Sequence, residues 1–452
     1  MVKTAELVKL VDWSQARDSL LLLGILTFSL PLKTPALQQA LETSLDLTFP
    51  IRLSTYTILL PPLLGLTTLI HWRRIPEVWN QLKIPLLMMG ALFIWMWLGA
   101  WFSEWRSFSL KHAGRYSIHF IVFLTLLLLI RQSFALQASR TFIFWFATLT
   151  GWTAIDVYLW KNFSWIRIPN LLANIGLLLE NFNNNSWGPG YTGFFENRNP
   201  HALVAVLVLI ISFYILKRRI WMSGMVGIVA SLWLLYMTGS RNGLLGFLIV
   251  LIVLAVYGIR WLRTTSFQRF VFIFPIIIIG IGLSPIVMVP NEATSKLWKK
   301  IEQLQSVQSY EQLEDKEFRF VLYRSAFETG WNHNSLLGGG PKTAGYMMAK
   351  HSDSRWSKDL EKVKETYNAH NALLTLLLEM GWIGLILSLA FLIEWFRRNR
   401  TAPALVLGTG IILCLGQIFD YFIWQITFMT VQSFAFTLIA ATTLSSKKFS
   451  SE

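Results

Sequence analysis

Charge is scarce in this chain and cysteine almost absent. Only 14% of the 452 residues are Asp, Glu, Lys or Arg, while 54% are hydrophobic. That balance lies outside the soluble range and marks an integral membrane protein. The single cysteine, Cys414, falls inside an apolar run. It excludes a disulfide framework and a thiolate metal cluster, and reads as a small buried apolar residue. No His, Cys and Asp set has ligand spacing, and the first outer loop offers only the isolated Glu42 and Asp46, so no metal and no cofactor is expected. Short alternating segments are missing too, which excludes a β-barrel. No nucleic-acid motif accompanies the net charge of +15. The N-terminal segment carries Glu6, Asp12 and Asp18 without a small-residue cleavage site, and reads as a cytoplasmic lead-in.

What the chain does have is apolar runs near twenty residues, long enough to cross about 30 Å of hydrocarbon as helices. About twelve are expected, near 19–32, 51–70, 84–102, 116–130, 141–160, 201–216, 220–237, 243–259, 270–289, 371–396, 403–420 and 426–444. Pro31 and the Pro61-Pro62 pair are expected to kink or end helices. With both termini inside, cytoplasmic segments carry about 19 Lys and Arg against about 9 in the short outer loops. The positive-inside rule therefore puts both termini in the cytoplasm. Most of the net positive charge then faces anionic lipid.

The expected layout is nine spans in 1–289, a long outer loop over 290–370, and three spans in 371–452. The loop contains an amphipathic stretch (Leu297, Ile301, Leu304, Leu313), a helix from Phe318 to Thr329, and a tight turn at Gly338-Gly339-Gly340-Pro341. Three spans enter the membrane from the outer side with polar residues at their starts. Asn199-Pro200 suits an N-cap followed by proline at the first helical position. Ser240-Arg241-Asn242-Gly243 opens the eighth span, and His370-Asn371 opens the tenth. Unpaired N–H groups and the helix dipole favour anions at such ends. Arg241 suits a ligand anion or a snorkelling interfacial cation. His370 suits a general base near neutral pH or a plain interfacial residue. Glu394 should pair with Arg397 and Arg398, whereas Glu379, on the far side of its helix from His370, suits helix packing.

From about Gly193 onward the chain resembles the O-antigen ligase and polymerase superfamily of bacterial envelope proteins. Four pieces carry the resemblance. They are Gly193 to His201 with Asn197-Arg198-Asn199-Pro200, then Gly239-Ser240-Arg241-Asn242-Gly243, then Arg319 with Tyr323, Ala326 and Leu337 to Gly340, and His370-Asn371 through Glu379-Met380-Gly381 to Gly384. The resemblance implies an all-α integral membrane protein of GT-C-like architecture with one long helical periplasmic loop, in the bacterial inner membrane. It implies a metal-independent, inverting glycosyltransferase that moves an undecaprenyl-diphosphate-linked glycan onto a sugar of lipid A–core. His370 would be the base, Arg241 and Arg319 would hold the diphosphate, and Ser240, Asn371, Asn199 and Arg198 would line the substrate site. An O-antigen polymerase is the nearest alternative, with the Arg319 and Gly330 spacing in its favour. A protein O-oligosaccharyltransferase and a transporter are further ones.

Overall fold

The computed structural model describes residues 13–30, 32–33, 59–162, 178–179, 198–238, 240, 243, 246–248, 250, 318–333, 336–351, 360–362, 364, 368–419 and 426–449. The expected span at 270–289 and the amphipathic stretch 297–313 lie outside them. Helices dominate. In chain order they are α1 (Trp13–Phe28), α2 (Leu60–His71), α3 (Ile75–Phe102), α4 (Arg106–Leu129), α5 (Ala135–Asn162), α6 (Arg198–Lys217) and α7 (Trp221–Thr238). After them come α8 (Phe318–Asn332), α9 (Ala344–His351), α10 (Ala372–Arg398), α11 (Ala404–Phe419) and α12 (Ile426–Phe449). The described residues are helical as expected, apart from a two-residue antiparallel pairing of β1 (Leu32–Lys33) with β2 (Leu178–Leu179). Among the described residues five helical stretches are long and apolar enough to cross a membrane: Leu60–Phe102, Arg106–Leu129, Asn199–Lys217, Trp221–Thr238 and Ala372–Arg398.

Several expected boundaries shift, for identifiable reasons. α1 ends at Phe28, before Pro31 can obstruct it. Pro61 and Pro62 open α2 instead of breaking it, since the first helical turn has no use for their missing N–H groups. α4 begins at Arg106, ten residues before the expected 116, so most of the supposed 103–115 loop is its first turns. α3 begins at Ile75 and carries Pro85 inside, with Leu82 off the helical conformation. Proline at 85 deprives the Gln81 carbonyl of its helical donor. Arg398 at the foot of α10 donates to that carbonyl instead, at 3.3 Å. Glu394, as expected, holds Arg397 at 2.6 Å and Arg398 at 2.6 Å.

α6 is the central post. It is apolar on every side and buried along nearly its whole length, which is what a helix surrounded by other helices requires. α5, α7, α11 and α12 pack around it. Glycines on its neighbours allow the approach: Gly224 and Gly227 of α7 against Ser212 and Leu216, and Gly416 of α11 against Leu203. At the other end of the bundle from α9, buried Asp18 draws together Arg17 at 2.9 Å, His71 at 3.3 Å and Arg131 at 3.6 Å.

A break interrupts α10 in its first half. Gly381 adopts φ +65°, ψ −172°, so the helix stops and restarts there. The carbonyls of Leu378, Glu379 and Met380 lose their regular donors. In hydrocarbon each unsatisfied group costs several kcal/mol, and here each has a substitute. Gly339 N–H donates to Leu378 O at 2.8 Å and Gly340 N–H to Glu379 O at 2.8 Å. Trp95 Nε1 of α3 donates to Met380 O at 2.9 Å. Gly338 (φ +73°) and Gly340 (φ +97°) give the strap its left-handed turns, and Ser103 donates its hydroxyl to Gly339 O. The glycine turn therefore docks inside the bundle rather than on it.

His333 and His351 stack at 4.8 Å, closing the segment that carries this strap. Partial desolvation, then His333 and Lys350, hold the His351 imidazole below the ordinary 6.5, with Glu104 acting oppositely. The fold thus favours neutral His351, and its contribution is present above pH 6.5 and lost as pH falls through the lowered value. Amide exchange across α9 should accelerate on acidification below that point, and His351→Phe should remove the pH dependence while keeping the stack. At Gly381 a Cβ would sit on the Leu336 carbonyl in a left-handed backbone. Gly381→Ala should cost at least about 1–3 kcal/mol, read as a lowered thermal midpoint and faster proteolysis near Gly339.

Candidate functional site

His370 stands at the head of α10 in a left-handed backbone conformation, φ +47°. For a residue with a Cβ this conformation is uncommon and needs support. Two polar contacts supply it. The His370 N–H donates to Asn368 Oδ1 at 2.8 Å, and Tyr323 of α8 donates its hydroxyl to the His370 carbonyl at 3.4 Å. Asn371 then caps the helix, its Oδ1 accepting the Leu374 N–H at 3.0 Å. The imidazole is half-buried. Ala369 beside it is fully buried in a small core with Leu322 and Ala326 of α8, Met347 and Met348 of α9, and Leu378. Sequence, backbone and packing together leave His370 little freedom.

The second expected helix start is also built. Ser240 Oγ donates to Asn199 Oδ1 at 2.7 Å and accepts the Gly243 N–H at 3.2 Å. Ser240 thereby caps the helical turn at Gly243 and ties it to α6. The expected role of Asn199 as an N-cap is corrected: α6 begins one residue earlier, at Arg198, and Asn199 serves as the acceptor that joins two helix starts.

Both helix starts lie at the same end of the bundle. α10 runs from His370 down to Arg398, a short turn reverses into α11, and Gly416 near the far end of α11 meets Leu203 near the start of α6. Asn199 and Ser240 are therefore at the His370 end. Below His370, a cavity of about 340 Å³ lies between α3, α4, α10, α11 and α12. It reaches Ala372 and Leu373 in the first turn of α10 and descends to Phe391 and Leu392. Its lining is mostly Leu, Met and Phe with His119, Gln432, Ser433 and Cys414 among them, and its size is that of a ligand pocket.

The expected site residues fare unequally. His370, Asn371, Ser240 and Asn199 are placed as above. Arg241 lies outside the described residues, next to Ser240. Arg198 and Arg319 are placed as the first residue of α6 and the second of α8. Position 319 is one helical turn before Tyr323, on the same face. The supports of His370, namely Asn368 and the Tyr323 hydroxyl, were not foreseen, nor were the Gly381 break and the cavity. A glycine in the middle of a long apolar span was the available signal for the break.

Residues 226–389 match the family model described as O-antigen ligase. The match spans Ser240, α8, the glycine strap, His370, Asn371 and the Gly381 break, and leaves out Arg198 and Asn199. Over that stretch, about a third of the chain, the sequence is similar to the O-antigen ligase/polymerase superfamily, whose members are glycosyltransferase-like enzymes, and the apolar helices fit a multi-pass membrane protein. No curated protein matches the chain.

Removal of the Asn371 cap by Asn371→Ala should cost about 1 kcal/mol of stability, whereas Asn371→Asp should restore most of it. Thermal unfolding of the two purified variants checks this.

Proposed function

We propose that the chain is a member of the O-antigen ligase/polymerase superfamily and a ligase-type glycosyltransferase of the bacterial inner membrane. It moves an undecaprenyl-diphosphate-linked polysaccharide onto a sugar of lipid A–core at the periplasmic face. The observation that carries this reading is the placement of His370, with its backbone fixed, directly above an apolar cavity. A substrate with a polar diphosphate head and a long hydrocarbon tail has that same division. Basic residues also gather at the opposite end of the bundle: Arg73 and Arg74 after α2, Arg131 before α5, Lys217 to Arg219 at the end of α6, and Arg397, Arg398 and Arg400 at the end of α10. This favours a cytoplasmic location for that end and a periplasmic one for His370. The layout we assign is twelve spans of GT-C-like arrangement, nine in 1–289 and three in 371–452, with the 290–370 loop outside and both termini in the cytoplasm.

In the reaction, His370 takes the proton from an acceptor hydroxyl as that oxygen attacks the anomeric carbon. Attack comes from the face opposite the diphosphate, so the configuration inverts. The C1–O bond breaks and its electron pair leaves with the diphosphate oxygen. Arg241 and Arg319 meet the charge that develops there, since guanidinium fits phosphate through paired N–H donors. Fixed donors in a partly dry site are each worth about 2.7–4 kcal/mol, enough for two arginines and the adjacent helix ends to act without a metal ion. Ser240, Asn199, Arg198 and Asn371 shape the substrate site. The Ser240–Asn199 hydrogen bond supports this by fixing the residue preceding Arg241.

A polymerase would use the same donor and differ only in acceptor. Its Arg319–Gly330 spacing has a packing explanation here, because a Cβ at Gly330 would come within 2.8 Å of the Leu377 side chain. Purified protein given a lipid-diphosphate glycan and lipid A–core should glycosylate the core. Lengthened donor chains would make it a polymerase, and no product of either kind would overturn both. His370→Ala, Arg241→Ala and Arg319→Ala should each abolish transfer while the protein still inserts. Full activity in any of the three removes that residue from the mechanism.

A further inference from the structure

The mechanism leaves unused a shelf at the His370 end, formed where the start of α4 meets α9. The rings of Trp105 and Tyr346 lie 5.5 Å apart, Phe108 and Tyr346 5.2 Å, and Phe108 and His112 4.6 Å. All four side chains are half-buried, so the rings keep open surface. Cations surround them. Lys350 Nζ is 5.9 Å from the Trp105 ring and Lys364 Nζ 5.6 Å from the Tyr346 ring. Lys111, Arg115 and Lys342 lie within electrostatic range of His112. Among the described residues two carboxylates face this set: Glu104, held by Lys350 at 2.6 Å, and Glu361, paired with Lys364. The balance of these described groups is positive.

We infer that this ring-and-cation shelf binds an anionic saccharide. Aromatic faces take the apolar C–H face of a sugar ring, and cations beside them select phosphate or carboxylate substituents. A row of interfacial aromatics anchoring the protein in lipid would also be ring-rich, but two features of the shelf oppose that. Tyr346, Lys350 and Lys364 come from the segment between α8 and α10 that carries the strap, not from a spanning helix. Trp105 also packs on the same small core as Met347 and Ala369. The shelf and His370 therefore flank one core, which sets a bound glycan beside the base. The inference deepens the transferase reading and rests on it only for which glycan is meant. An acceptor sugar and a donor repeat share the chemistry.

The test uses full-length protein in nanodiscs and calorimetric titration with soluble probes. The probes are a phosphorylated oligosaccharide cut from the acceptor glycolipid, the same oligosaccharide after phosphatase, and delipidated donor polysaccharide. The acidic form should bind about tenfold more tightly than its neutral counterpart. Lys111→Gln and Lys364→Gln should each narrow that margin. Tyr346→Phe should bind normally, and Tyr346→Ala should lose both forms. Tighter binding of the acceptor-derived or the donor-derived probe identifies the source. Equal affinity for charged and neutral forms, unchanged affinity in both lysine variants, or no binding of any probe overturns the inference. Charge-selective binding without glycosyl transfer would sink the enzymatic reading alone. Transfer with charge-blind binding would sink the shelf alone.

Discussion

Three carbonyl groups in the first half of α10 lack helical donors, and the way they are satisfied organises the His370 end of the molecule. Leu378 and Glu379 take the N–H groups of Gly339 and Gly340, and Met380 takes the indole N–H of Trp95. The low polarity around the bundle makes these bonds obligatory, since no water stands ready to replace them. One consequence is that the segment between α8 and α10 is attached to the bundle from within. A second is that the first turns of α10, with His370 at their head, form a short rigid piece braced by α3 on one side and the glycine strap on the other.

The upper part of α10 carries two unlike surroundings a few residues apart. Above it are a strained histidine, an asparagine cap and a tyrosine hydroxyl. Below it begins a cavity walled by Met89, Leu92, Met96 and Phe120. Polar chemistry at a boundary works when the reactive groups hold still while a greasy portion of the ligand finds its own place. In the function proposed above, the left-handed backbone at His370 would serve the first need and the methionine-rich wall the second, because methionine adapts its shape at low cost.

Much of the architecture was legible in the sequence, because hydrophobic runs of membrane length have few other uses. Helices lie over most of the expected spans, and the Glu394 ion pairs follow from spacing alone. Boundaries were less legible where proline was involved, since Pro61 and Pro62 start a helix while Pro85 sits within one. Composition gives no way to tell these apart. At the site, Asn371 was readable as a cap, but Asn199 was not readable as an acceptor for Ser240, because that bond joins residues 41 positions apart. The role of Gly381 was hidden for a similar reason. Its conformation makes sense only once Leu336 and Gly338 are known to lie against it.

α6 offers a last consequence. A helix greasy on every face carries no information about which way to turn, so amphipathicity cannot set its rotation about its own axis. Steric keys must do so, and Gly224, Gly227 and Gly416 are the notches into which Ser212, Leu216 and Leu203 fit. The same rod bears Asn199 at its tip. Any reshaping of a notch, even many ångströms down the shaft, would therefore twist that tip and alter the aim of the hydrogen bond to Ser240. Packing deep within the bundle is in this way geared to the geometry at its rim.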